Sequence, residues 1–141
     1  MMGTPISSES GSATGAMPVF YGMMLAEQFA GATFVQSNLR ANTNAAAYAA
    51  TAAGGYRVAV FNKDENQGLS LVVRLSGSVK NATAWRLEAR TLDATEGVTL
   101  AGASVEPHAV WAPKAVEHLG VKDGVVHLAV PAASAALLFI K

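Results

Sequence analysis

The sequence contains no cysteine, which excludes disulfide frameworks, thiolate metal sites and cysteine nucleophiles. It is also poor in charge. Charged residues make up 14% of the chain, against about 25% in an average soluble domain. Ten Lys and Arg balance ten Asp and Glu, so there is no basic field to hold nucleic acid or an anionic membrane surface, and neither is expected as a partner. No uninterrupted apolar run reaches the roughly 18 residues that would suggest a membrane-spanning helix. The first residues lack a basic stretch followed by an apolar one, so no export signal is read. The sequence contains no G-x-S-x-G nucleophile elbow, no H-x-x-x-H pair and no phosphate-binding loop ending in Lys-Ser or Lys-Thr.

What is present fits one domain. A chain of 141 residues buries roughly 68–70% of its unfolded surface around a single core. Hydrophobic residues account for 51% of it, but 28 of these are alanine, so the core depends on Val, Leu, Ile and Phe. Residues 1–16 are rich in Ser, Gly and Thr and read as a flexible lead-in, with residues 17–141 as a single domain. Pro18 to Ala30 has helix grammar: Pro stands in the first turn, where its missing N–H costs nothing, and Gly31 follows as a stop. Val19, Phe20, Tyr21, Met23, Met24, Leu25, Ala26, Phe29 and Ala30 surround this helix, so it needs cover on more than one side.

After Gly31 the pattern is that of strands broken by turn residues, near 33–36, 45–52, 56–62, 69–75, 84–92, 98–105, 109–121 with a break, 125–130 and 134–140. This spacing predicts an all-β fold: an antiparallel sandwich of about eight strands with one N-terminal helix. Gly54-Gly55 reads as a tight hairpin and Lys122-Asp123-Gly124 as a type I′ turn. The Ala-rich run Ala45 to Ala53 has helix propensity, but Asn44 and Gly54-Gly55 bound it and Tyr48 is its only large side chain, so a strand is expected. Tyr56, Val58 and Val60 alternate with Arg57 and Ala59, and Trp85 and Leu87 with Arg86 and Glu88, which predicts one buried face per strand and places Trp85 on the inner one.

Four segments together carry a family resemblance: PVFYGMMLAEQFAG, AYAATAAGGYRVAVFNKDENQGLSLVVRL, GVTLAGASV with Trp111-Ala112-Pro113, and VPAASAALL. In wording and order they resemble the C-terminal region of glycoside hydrolase family 79, the β-glucuronidase and heparanase-like enzymes, over about residues 17–140. The Asn62-Lys63-Asp64 run after an apolar strand is also similar to sandwich domains of related glycosidases. The resemblance implies that Tyr21 to Leu25 belong to the last helix of a (β/α)8 barrel and that a β-sandwich beside the barrel follows. It implies that the two catalytic glutamates lie on barrel strands, in sequence preceding this chain, and that the enzyme is secreted or periplasmic. It further implies that the sandwich takes up chain from before the barrel, so that here one sheet edge lacks a strand.

The chain is therefore expected to be a non-catalytic accessory domain without a cofactor, whose partner is the catalytic barrel of a parent enzyme or a second copy of itself. Phe20, Met23, Met24 and Phe29 are the candidate interface. Alternative readings are a stand-alone carbohydrate-binding module and a self-associating interaction protein. A retaining glycosidase needs two carboxyls about 5–5.5 Å apart, and the acidic residues, among them Asp64, Glu65, Glu88, Asp93, Glu96 and Asp123, read as scattered and solvated. His108, His118 and His127 match no metal-ligand spacing. Trp85 and Trp111 are the candidates for stacking on a glycan, since indole offers a flat amphipathic surface, although Trp111 in Trp-Ala-Pro resembles a structural strand end of the family. Asn81-Ala82-Thr83 is a formal glycosylation sequon, read as coincidental in a composition that looks bacterial.

Overall fold

The computed structural model describes residues 4–141, and among them the fold is antiparallel β with one α-helix. A hairpin of β1 (Ile6–Glu9) and β2 (Ser12–Ala16) leads into α1 (Pro18–Glu27). There follow β3 (Thr33–Val35), β4 (Ala45–Ala52), β5 (Gly55–Asn62), β6 (Leu69–Arg74), β7 (Ala82–Glu88) and β8 (Thr99–Leu100). A 3-10 turn at Pro107–Ala109 precedes β9 (Glu117–Leu119), β10 (Val121–Lys122), β11 (Val125–Val130) and β12 (Ser134–Ile140). The large sheet runs β3-β4-β5-β12-β7-β8, with β9 also on β7, and the small sheet runs β10-β11-β6. No helix among the described residues is long and apolar enough to cross a membrane.

Side-chain alternation decides how the layers stack. In β6 and β11 the inward positions Leu69, Leu71, Val126, Leu128 and Val130 pack against one face of the large sheet, which presents Val58, Val60, Ala82, Ala84, Ala136, Leu138 and Ile140. Val60, Val126, Leu138 and Ile140 are fully buried, each contributing roughly 1.5–3 kcal/mol relative to an exposed side chain. Arg86 bridges the two sheets at their rim: its guanidinium donates to the Ala129 carbonyl of β11 and pairs with Glu117 of β9 at 2.6 Å. The opposite face of the large sheet is covered by α1. Leu25 packs on Ala59 and Leu137, and Tyr21 packs with Val98, Leu100 and Val105. The Tyr21 hydroxyl accepts the Val105 N–H at 2.9 Å.

The sandwich with one helix and the strand at Ala45–Ala52 agree with the expectation, and several details differ. Within the expected lead-in of residues 1–16, residues 6–16 pair as a hairpin, while residues 1–3 lie outside the described residues. The helix ends at Glu27, and Phe29 and Ala30 donate instead to carbonyls three residues back. Strand structure at 98–105 shrinks to Thr99–Leu100, because Ala101 and Gly102 both take positive φ and reverse the chain. Within 109–121 Pro113 removes a backbone donor, and the strand structure there is confined to Glu117–Leu119 and the start of β10 at Val121. The hairpin after β4 turns on Ala53-Gly54 rather than Gly54-Gly55, since Ala52 pairs with Gly55. Gly55 lies in the strand for another reason: a Cβ there would sit 2.0 Å from the Ile140 carbonyl oxygen.

Trp85 requires the largest correction. It shares a face with Leu87 as expected, but that face looks toward α1, while Ala82 and Ala84 face the small sheet. On β7 the bulkier alternate set, Trp85 and Leu87, lines the helix side, and the smaller set, Ala82 and Ala84, lines the sheet–sheet core.

Candidate functional site

The helix-side face of the large sheet is built from cross-strand rows. Ala59, Leu137 and Trp85 stand side by side on β5, β12 and β7, and Arg57, Phe139 and Thr83 form the next row toward the end of β12. The α1 side chain Leu25 covers the first row. The second row borders an open hollow of about 360 Å³, lined by Arg57, Asn81, Thr83, Trp85, Phe139 and Lys141.

The walls of this hollow are fixed by aromatic packing. The Trp85 and Phe139 rings lie 4.8 Å apart with a 60° tilt, and Trp111 meets Trp85 edge-on at 5.5 Å. The Arg57 guanidinium carbon sits 4.7 Å from the centre of the Phe139 ring, a cation–π arrangement, and its Nη1 donates to the Tyr56 carbonyl at 3.4 Å. Backbone bonds hold the rim: Lys141 N–H donates to the Asn81 carbonyl at 2.8 Å, and Asn81 N–H donates back at 2.9 Å. The ion pairs among the described residues are Arg86–Glu117 and Lys114–Glu106, so neither Arg57 nor Lys141 pairs with an Asp or Glu side chain there.

The two tryptophans expected to meet glycan are thus in contact but differ in position. Trp85 lines the hollow, whereas Trp111 stands behind it, packed with Leu100 and Val105. The expected interface set is divided by the fold. Phe20 and Met24 are half-buried against the Val98–Val105 cluster. Phe29 packs under Phe34 with rings stacked at 5.4 Å, and only Met23 is exposed. The apolar side of α1 that reaches solvent is Val19, 58% exposed, and Met23, 53% exposed, flanked by Gly22 and Ala26. The three histidines are exposed on separate elements, His108 in the 3-10 turn, His118 on β9 and His127 on β11. Asn81 is exposed at the lip of the hollow.

The Asn62-Lys63-Asp64 run is a backbone clamp. Asn62 is 1% exposed, and its Nδ2 donates to the carbonyls of Gln67 at 2.8 Å, Val130 at 3.2 Å and Pro131 at 3.1 Å. Its Oδ1 accepts the Asp64 N–H at 3.2 Å. Asp64 Oδ1 in turn accepts the N–H groups of Asn66 and Gln67, each at 2.9 Å, and these two bonds hold its carboxyl below the ordinary carboxylate range. Among the hollows on the described residues, five of about 200–470 Å³ are each lined by at most one acidic side chain. Arg57, Phe139 and Lys141 were not singled out in the sequence, because only the strand register brings them together.

Residues 46–137 match the family described as Glycosyl hydrolase family 79 C-terminal beta domain, and the chain belongs to that family. No curated protein sequence matches it. Among solved structures, it is similar to the GH51 arabinofuranosidase from Xanthomonas axonopodis pv. citri, with TM-score 0.63 at 16% identity over 97% of this chain and 28% of that one. It is similar to the family 30 subfamily 8 xylanase from Clostridium acetobutylicum, with TM-score 0.62 at 13% identity over 88% and 28% of the two chains. At these identities the likeness is one of fold. A 4-O-alpha-L-rhamnosyl-beta-D-glucuronidase from Fusarium oxysporum 12S is 25% identical over 69% of this chain and 24% of that one, with TM-score 0.53. The chain therefore spans about a quarter of the length of these glycosidases.

Proposed function

We propose that this chain is the non-catalytic accessory β-domain of a family 79-type glycoside hydrolase acting on glucuronides, and that it stands against a catalytic barrel. The observation that carries the reading is the two-sidedness of α1. Tyr21 and Leu25 are buried against the sandwich, while Val19 and Met23 on the other side remain open. A helix with apolar residues on both sides has a second surface to cover, and burying each of these two side chains contributes roughly 1.5–3 kcal/mol. The family match to a C-terminal beta domain supports the placement beside a barrel.

The carboxylates support the non-catalytic part. Asp64 is engaged with backbone amides and Glu117 with Arg86. Retaining hydrolysis needs an acid and a nucleophile facing one substrate bond. Incubating the purified chain with aryl glucuronides is expected to give no hydrolysis above the buffer rate. Turnover that disappears when one acidic residue is replaced would overturn the reading.

A further inference from the structure

We infer that the hollow beside Phe139 is a binding site for a carboxylate-bearing sugar ring, a uronate unit of a polysaccharide. Its lining combines two features of opposite character. Trp85 provides an apolar aromatic wall, which suits the C–H face of a pyranose, and Phe139 beside it carries the Arg57 guanidinium over its ring. Arg57 and Lys141 place a guanidinium and an ammonium on the same hollow, and no Asp or Glu side chain among the described residues pairs with either. Cationic side chains beside a partly exposed aromatic wall complement an anion attached to a flat, partly apolar body.

The geometry favours a carboxylate on a ring over a free inorganic anion. The Arg57 guanidinium is held over Phe139 and its Nη1 reaches the Tyr56 carbonyl at 3.4 Å, so the group is fixed in place while its remaining N–H groups can pair with a carboxylate. Asn81 and Thr83 on the rim supply an amide and a hydroxyl for sugar hydroxyls. The volume of about 360 Å³ lies in the range of small-molecule sites. The site is independent of the exposed side of α1, because no residue of the helix lines the hollow.

The test is a titration of the 141-residue chain with trigalacturonate, following Trp fluorescence and NMR shifts, with xylotriose as the neutral counterpart and a Glu-rich hexapeptide as a non-sugar anion. Trigalacturonate is expected to bind at least about tenfold more tightly than xylotriose, the scale of one charge-assisted contact. Arg57→Gln should remove most of that preference while leaving the melting temperature nearly unchanged. If Arg57→Gln perturbs folding, Lys141→Gln at the exposed rim carries the same test. Equal affinity for trigalacturonate and xylotriose, no binding of trigalacturonate, or a preference unaffected by both folded variants would overturn the proposal. Equal or tighter binding of the hexapeptide would also overturn it, and would assign the hollow to an acidic protein segment.

Discussion

The phenolic oxygen of Tyr21 accepts the backbone N–H of Val105 at 2.9 Å, with Tyr21 only 4% exposed. One bond thus joins the helix to an irregular segment far along the chain, in a stretch where Ala101-Gly102 and the prolines leave few ladder partners. Replacing Tyr21 by Phe keeps the ring packing and leaves the Val105 N–H buried without its acceptor. The expected cost is about 1–3 kcal/mol, measured by urea unfolding. A midpoint identical to that of the parent chain would mean that water replaces the hydroxyl.

Asn62 satisfies the Gln67, Val130 and Pro131 carbonyls at the point where the chain leaves the small sheet for the large one. Asn62→Ala is expected to destabilise by about 2–3 kcal/mol, seen as a melting temperature lower by roughly 4–12 °C. Asn62→Asp should be at least as damaging, since it exchanges the donor for a buried anion facing carbonyl oxygens.

The neighbouring Asp64 gives a pH dependence of known sign. Its carboxyl is held below its ordinary value of 3.8, so the stabilisation it supplies is complete above that value and is lost as the pH falls through the lower, folded-state value. The Asn66 and Gln67 amide resonances should shift with a midpoint below 3.8, and Asp64→Ala should abolish the transition. A midpoint at or above the ordinary value would show that the two amide bonds do not favour the ionised form.

Gly55 is required by a close approach rather than by its φ. Its missing side chain leaves room for the Ile140 carbonyl, which an added Cβ would meet at 2.0 Å. Gly55→Ala should cost about 1–3 kcal/mol through forced displacement of β12, whereas Gly22→Ala, with open space around it, should stabilise α1 by about 0.5–1 kcal/mol. Thermal melts of the two variants should move in opposite directions.

The two sides of α1 can be separated by charge. Met23→Lys is expected to leave monomer stability within about 0.5 kcal/mol, as at an exposed site, and to reduce concentration-dependent association in light scattering. Phe29→Lys should destabilise the fold itself, because Phe29 packs in the Leu25 cluster and stacks on Phe34. If both variants behave alike, the helix does not divide into a covered and an open side.

Much of this architecture is legible in the sequence because strands announce themselves locally. The alternation of Tyr56, Val58 and Val60, the Asp123-Gly124 turn and the run Ala45 to Ala52 required only neighbours in sequence. Turns such as Ala53-Gly54 and Ala101-Gly102 were less visible, since alanine at positive φ is not a recognised turn signal. The face of Trp85 was misassigned because period two identifies which residues share a face without saying which face meets which layer. The hollow was illegible for a further reason. Arg57 and Phe139 become neighbours only through the pairing of β5 with β12, and nothing in either segment names the other.

The position of β12 has a kinetic consequence. It lies between β5 and β7 and pairs with both, although it follows both in the chain. Until its segment arrives, β5 and β7 have no shared partner and the large sheet exists only as separate halves. Loop closure over long separations must precede most of the stabilising contacts, which places the chain among slow-folding topologies. During that interval the β5 and β7 edges stand open to other chains, so yield on refolding should depend on protein concentration far more than the stability of the finished fold does.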